Sequence, residues 1–153
     1  MEIKFITKDD SVGKYIDIIS KHLFYYIHKQ VEPYHLQKNQ YKILIELYHH
    51  EGLCQEDLVT LLKLSKADIA KAVKKLVSLG YIRKEKNTND NRIHHVYLTE
   101  KSLSFKKDII SILEDTSDIL SKNISKEEMD ITKKVMQQMA ENILDASHTV
   151  KNS

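Results

Sequence analysis

Apolar residues recur at three- and four-residue steps through most of the chain. Between residues 11 and 29, Val12, Tyr15, Ile16, Ile19, Leu23 and Ile27 fall on one face, which predicts a long amphipathic helix. Pro33 in "QVEPYHL" ends it, because proline lacks the amide donor and disfavours helical geometry at Glu32. "KNQYKILIELYHHEG" resumes the period, with Tyr41, Leu44, Ile45 and Tyr48 on one side and Gly52 placed as a C-terminal stop. A short helix is expected from Gln55 to Leu62, holding Leu58, Leu61 and Leu62 inward. Ser65 then precedes a fresh helix that reaches Leu79. Asp68 stands three residues on, in the manner of a capping box, and Gly80 can take the left-handed geometry that closes the helix. Two helices joined by so tight a turn have the outline of a helix-turn-helix.

From Tyr81 the period shortens. "YIRKEK" and "RIHHVYL" suit two short strands, and "NTNDN" between them is turn chemistry. A hairpin directly after a helix-turn-helix is the wing of a winged helix. Thr99 caps a further helix that is expected to run to Asn123, with Leu103, Ile109, Ile110, Leu113, Thr116, Ile119 and Leu120 as its apolar stripe. Ser125 and Glu128 form a second capping box, and Ile131, Val135, Met139, Ile143 and Leu144 continue the last helix towards the end.

Charge sharpens this layout. The chain has 153 residues and a net charge of +2, but residues 63–95 alone carry +6, while the segments before and after each carry −2. A near-neutral chain with a strongly basic middle suits a local anionic contact. The basic side chains follow the helical period. With Ile69, Val73 and Leu76 on the buried side of the helix after Ser65, Ala67, Lys71, Lys74 and Ser78 point the opposite way and Lys75 flanks them. Lysines at this spacing can reach phosphates on both sides of a major groove. Small residues let the backbone approach the bases, and an alanine can touch a thymine methyl. The hairpin continues the charge with Arg83, Lys84, Lys86 and Arg92.

The stretch from Leu36 to Lys101 resembles the DNA-binding core of the MarR (multiple antibiotic resistance regulator) family. The matching pieces are Leu36 and Gln40, "GLCQEDLVTLLKLSKADIAKAVKKL", "GYIRK" and the wing "DNRIHHVYLTEK", in which Asp-x-Arg followed by Val-x-Leu-Thr is the most specific. The resemblance implies a mainly α fold, a winged helix-turn-helix over residues 35–98 with dimerisation helices at 1–34 and 99–153. It implies a homodimeric transcription regulator, a ligand-responsive repressor on a pseudo-palindromic operator in double-stranded DNA. Onto this sequence it carries a recognition helix from Ser65 to Leu79, with Ser65, Lys66, Ala67, Lys71, Lys74 and Lys75 as DNA contacts. It adds Lys84, Lys86, Asn89, Asn91 and Arg92 on the wing, with Arg92 reaching the minor groove and Asp90 positioning the wing. Two features depart from the family pattern. Ser102 stands where glycine is usual, and Ala67, Ala70 and Lys71 stand where hydroxyl residues and arginine are usual. Lysine offers a point charge in place of a bidentate fork.

Other chemistry is thin. The His49–His50 and His94–His95 pairs have neighbours pointing different ways, and no His-x3-His or Cys-x2-Cys spacing occurs, so no metal site is expected. Cys54, the single cysteine, is expected to be a half-buried filler; it excludes an intrachain disulfide and, with an N-terminus lacking a signal-peptide pattern, suggests a cytoplasmic protein. No run is long enough to span a membrane, and no nucleophile–base pair or phosphate loop supports an enzyme. Tyr15, Phe24, Tyr25, Tyr26, Tyr34 and Tyr41 cluster near the first two helices, where packing explains them; the resemblance adds a small aromatic effector as a partner, with no cofactor required. The alternatives are a winged helix that meets an acidic protein, and a metal- or thiol-switched sensor of the same fold.

Overall fold

The computed structural model describes residues 10–151. The stretch examined for a signal segment lies outside them. Among the described residues the order is α1 (Val12–Val31), a 3-10 turn at Glu32–Tyr34, α2 (Lys38–His49), β1 (Leu53–Cys54), α3 (Gln55–Leu62), α4 (Lys66–Ser78), β2 (Ile82–Lys86), β3 (His94–Leu98), α5 (Glu100–Ser104), α6 (Lys106–Ser121) and α7 (Lys126–Lys151). This is the mainly α, winged-helix architecture that the periodicity and the hairpin predict. No helix among the described residues is long and apolar enough to cross a membrane.

The described residues divide into two compact units, 10–114 and 115–151. The first holds one continuous core. Ile43, Leu44 and Leu47 of α2, Leu58 of α3, Ile69, Val73 and Leu76 of α4, Ile82 and Val96 of the sheet, Val31 of α1 and Ile109 of α6 are all buried in it. α2 lies at its centre, so its apolar surface is wider than the single stripe expected: Ile43 and Leu47 are buried as well as Tyr41, Leu44 and Tyr48, whereas Ile45 is half-buried. Leu61, expected inward, faces outward on α3, while Leu58 carries that helix's burial.

The sheet has three antiparallel strands in the order β1-β3-β2. β2 and β3 are the expected hairpin, in register from Ile82 opposite Leu98 to Lys86 opposite His94. β1 is an addition: Leu53 pairs with Val96 and Cys54 with His95. Gly52 therefore does not stop α2, whose last hydrogen-bonded turn closes at His50. It turns the chain into β1 with φ +79° and donates its amide to the Val96 carbonyl. A Cβ there would stand 3.3 Å from the Tyr97 hydroxyl.

The helix expected from Thr99 to Asn123 is two helices. It breaks at Phe105, whose ring packs edge-on against Tyr34 with centroids 5.0 Å apart and also meets Tyr81 at 6.2 Å. In the second unit, Asn123 takes the left-handed conformation between α6 and α7 at φ 63°, and Ser125 and Glu128 exchange both bonds of a capping box. α7 has no buried residue among those described.

Candidate nucleic-acid interface

α4 is fixed at both ends. At its start the Ser65 hydroxyl accepts from the Asp68 amide at 3.1 Å, as the cap predicts. At its end, Tyr81 N donates to the Leu76 carbonyl and Gly80 N to that of Val77, the paired bonds of a Schellman motif, with Gly80 at φ +77°. The Lys101 ammonium donates to the Leu79 carbonyl at 2.6 Å, placing a cation at the negative end of the helix. With Ile69, Ala72, Val73 and Leu76 inward, the residues expected to face DNA are outward. Lys66, Ala67, Lys71, Lys74 and Lys75 are exposed along the helix, and Ser65 is exposed at its cap.

The hairpin separates its basic side chains by face. Cross-strand partners share a face, so Ile82, Lys84 and Lys86 lie with Leu98, Val96 and His94. The apolar members plug the core, and Lys84 and Lys86 extend the same face beyond it as exposed cations. Arg83 belongs to the other face, where it pairs with Glu85 and lies over the Tyr97 ring, 4.8 Å from its centroid.

The wing tip is ordered by three side chains. Arg92 grips Asp90 at two points, Nε to Oδ1 and Nη2 to Oδ2, each 3.1 Å, and the Arg92 amide also donates to Oδ1. The Arg92 guanidinium beside it holds the Asp90 carboxyl below the usual carboxylate range, with the backbone amide adding to the effect. Asn87 accepts at Oδ1 from the amides of Asn89 and Asp90, at 2.8 and 3.2 Å, and its Nδ2 donates to His95 Nε2 at 2.8 Å. Asn89, Asn91 and Arg92 are exposed at the tip, and Asp90 is half-buried.

The fold brings Lys66 and Arg92 together. Both line a cavity of about 300 Å³ with Cys54 and His94, between the start of α3, the start of α4 and the wing. Cys54 is half-buried, as expected of a filler, but it also caps α3: its amide donates to Asp57 Oδ2 at 2.9 Å. The Asp57 carboxyl is held low chiefly by that amide. Sequence reasoning did not single out Asn87 or Lys101, and it weighed His95 only with His94, as a pair on the wing strand, without its partners. An asparagine opening a turn segment signals an Asx-type cap, which could have marked Asn87. The other two depend on pairing across the fold. Among the described residues, no group of three or more His, Cys, Asp or Glu side chains is placed to hold a metal ion.

Residues 23–109, more than half of the chain, match the family described as Transcriptional regulator SarA/Rot. The chain belongs to the SarA/Rot family of transcriptional regulators. Solved structures similar to it include MarR regulators. A MarR transcriptional regulator from Methanosarcina mazei Go1 is 32% identical, with 88% of this chain and 97% of that one covered at a TM-score of 0.77. A MarR family regulator from Listeria monocytogenes, complexed with 26mer DNA, is 25% identical over 95% of this chain and 97% of that one, with a TM-score of 0.87. The HTH-type transcriptional regulator YybA of Bacillus subtilis (strain 168) is 33% identical over 66 residues, 43% of this chain and 44% of YybA, so the match spans less than half of that relative. The SarA/Rot-family chain is thus a transcriptional regulator of the MarR winged-helix type and not an enzyme.

Proposed function

We propose that the chain is a homodimeric repressor that binds a pseudo-palindromic site in double-stranded DNA. α4 enters the major groove with Ser65, Lys66, Ala67, Lys71, Lys74 and Lys75 towards the duplex. Lys84 and Lys86 meet phosphates, and the tip residues Asn89, Asn91 and Arg92 approach the adjacent minor groove, with Asp90 orienting Arg92. The observation that carries this reading is the row of exposed lysines on the outward side of α4, within a segment of charge +6 that also exposes Lys84 and Lys86 on β2, on a fold whose Listeria relative is complexed with DNA.

Dimerisation is supported by apolar faces left uncovered in the single chain. α1 exposes Val12, Ile16 and Ile19, and α7 exposes Ile131, Val135 and Ile143, the last at 68%. An amphipathic helix with no covered stripe gains its stability from a partner.

A ligand response is supported by a cavity of about 260 Å³ where α1, the start of α2 and α4 meet. Phe24 and His28 stack in its wall at 5.9 Å, His28 Nδ1 is buried without a hydrogen-bond partner, and the Lys38 ammonium lies 4.9 Å above the Phe24 ring. A small aromatic anion suits that lining. Lys71 belongs both to the cavity and to the cationic face, so an occupant would withdraw a DNA contact.

Selection of bound fragments from genomic DNA, followed by titration of the recovered duplex against salt, tests the reading. Tight binding of an inverted repeat, falling steeply as salt rises, is expected. A dimer with no affinity for any duplex at low salt would overturn it in favour of an acidic protein partner.

A further inference from the structure

We propose that Asn87 and His95 form a positioning pair that sets the wing tip for DNA and makes its grip sensitive to protons. The proposal rests on reading the wing as a DNA contact. His95 Nδ1 lies 2.7 Å from the Gly52 carbonyl, an acceptor, so Nδ1 carries a hydrogen. Its Nε2 lies 2.8 Å from Asn87 Nδ2. The orientation of the Asn87 amide is fixed independently, because its oxygen accepts from two backbone donors, the amides of Asn89 and Asp90. The NH2 group must therefore face His95, and His95 Nε2 must accept. One tautomer of neutral histidine meets both demands.

A proton added at Nε2 would set two donors against each other at 2.8 Å. Relief by turning the Asn87 amide would place its NH2 against the Asn89 and Asp90 amides. Either way the tip loses a bond that orders residues 87–90, and Asp90 is the residue that grips Arg92. The groups facing His95 are the Glu85 carboxylate opposite it on β2, the Cys54 thiol opposite it on β1 and, from α3, the Asp57 carboxylate; the turn after α2 meets it through the Gly52 carbonyl. Glu85 is already paired with Arg83, and Asp57 with the Cys54 amide. His95 thereby couples wing order to pH through the acceptor that it loses.

The test uses the full chain, a duplex selected from genomic DNA by the wild type, and a scrambled duplex of the same composition. The ratio of the two affinities cancels the general gain in positive charge at low pH. Asn87→Ala should lower the ratio about tenfold, and should lower it no further in an Arg92→Ala background. The wild-type ratio should fall between about pH 8 and pH 5, and that fall should vanish in His95→Gln, which keeps a donor and an acceptor but does not titrate. Without DNA, the Arg92 Nε–H resonance should shift in Asn87→Ala, and in the wild type at the acid end of the range. An Arg92 resonance indifferent to Asn87→Ala and to pH would overturn the positioning pair, as would an equal loss on Asn87→Ala with and without Arg92. An Arg92→Ala chain that keeps the full ratio, while its free wing still responds to Asn87, would instead remove the DNA role of the wing and with it the proton effect on binding.

Discussion

The Ser102 hydroxyl donates to the Tyr81 carbonyl at 2.7 Å inside a fully buried site. This joins the first turn of α5 to the residue that leads α4 into β2. The same Tyr81 carbonyl accepts from the Thr99 hydroxyl and amide, and the Tyr48 hydroxyl donates to the Ser102 carbonyl at 2.8 Å. The residue that departs from the MarR pattern therefore supplies a fastener of its own. Ser102→Gly should lower unfolding free energy by about 1 kcal/mol, because Tyr81 retains other donors. Ser102→Leu should cost more, since the site has no room. Urea denaturation of both variants checks the order.

Arg92→Ala and Lys71→Ala should each weaken binding to the selected duplex without lowering the melting temperature. Both side chains are exposed, and neither holds the core. Each should reduce the slope of log affinity against log salt by about 1, as a lost phosphate contact does. A wild-type slope in Arg92→Ala would show that its guanidinium stays with Asp90 and makes no contact with DNA.

With the imidazole removed, in His95→Gln, Asp90 should hold Arg92 through the whole neutral and mildly acid range. Its folded carboxyl titrates lower than an unfolded aspartate, so the contact is present above the unfolded value, about pH 4, and is lost as pH falls through the folded one. In His95→Gln, where the imidazole cannot contribute, the Arg92 Nε–H resonance should stay fixed from pH 8 to about pH 4 and move only below that.

Leu76→Ala should destabilise the chain by about 2–5 kcal/mol, because Leu76 is fully buried between α4 and the rest of the core. The same truncation at Leu61 should cost far less, since that side chain is half exposed to solvent at 51%. Thermal melts of the two variants distinguish a core position from a surface one.

Ile131→Glu combined with Ile143→Glu should convert a dimer into monomers and weaken binding to a two-fold site, leaving the fold of residues 10–114 intact. Sedimentation velocity reads the first effect and circular dichroism the second. A dimer unchanged by both substitutions would place the association surface elsewhere.

The features legible in the sequence are those set by neighbours along the chain. Ser65, Gly80 and the 3.6-residue period specify α4 locally, and the Asn- and Asp-rich turn between two β-branched runs specifies the wing. The features that were not legible depend on partners far away. Leu53 and Cys54 become a strand only because β3 lies alongside them. The apolar period does not mark the break at Phe105, where the ring meets Tyr34 and Tyr81 and the Ser104 hydroxyl bonds back to the Lys101 carbonyl. Ile43 and Leu47 are buried because α2 is surrounded, which an estimate of a single apolar stripe cannot register. At the candidate interface, the outward residues of α4 followed from periodicity. Arg83 shows the limit: its charge belongs with the basic segment, but strand alternation sends it to the far face, against Tyr97.

The strand order gives the cationic hairpin a second consequence. β3 is hydrogen-bonded on both sides, so among the described residues β2 is an open edge, and beyond Ile82 it reads Arg-Lys-Glu-Lys, every residue exposed. An unpaired edge is a template for another chain, and a row of charges is what keeps such templates from pairing. Neutral β-branched residues at Lys84 and Lys86 would therefore do more than subtract phosphate contacts. They would strip the edge of its guard and invite strand-to-strand aggregation, so the residues proposed to meet phosphates would have a second task in the unbound protein.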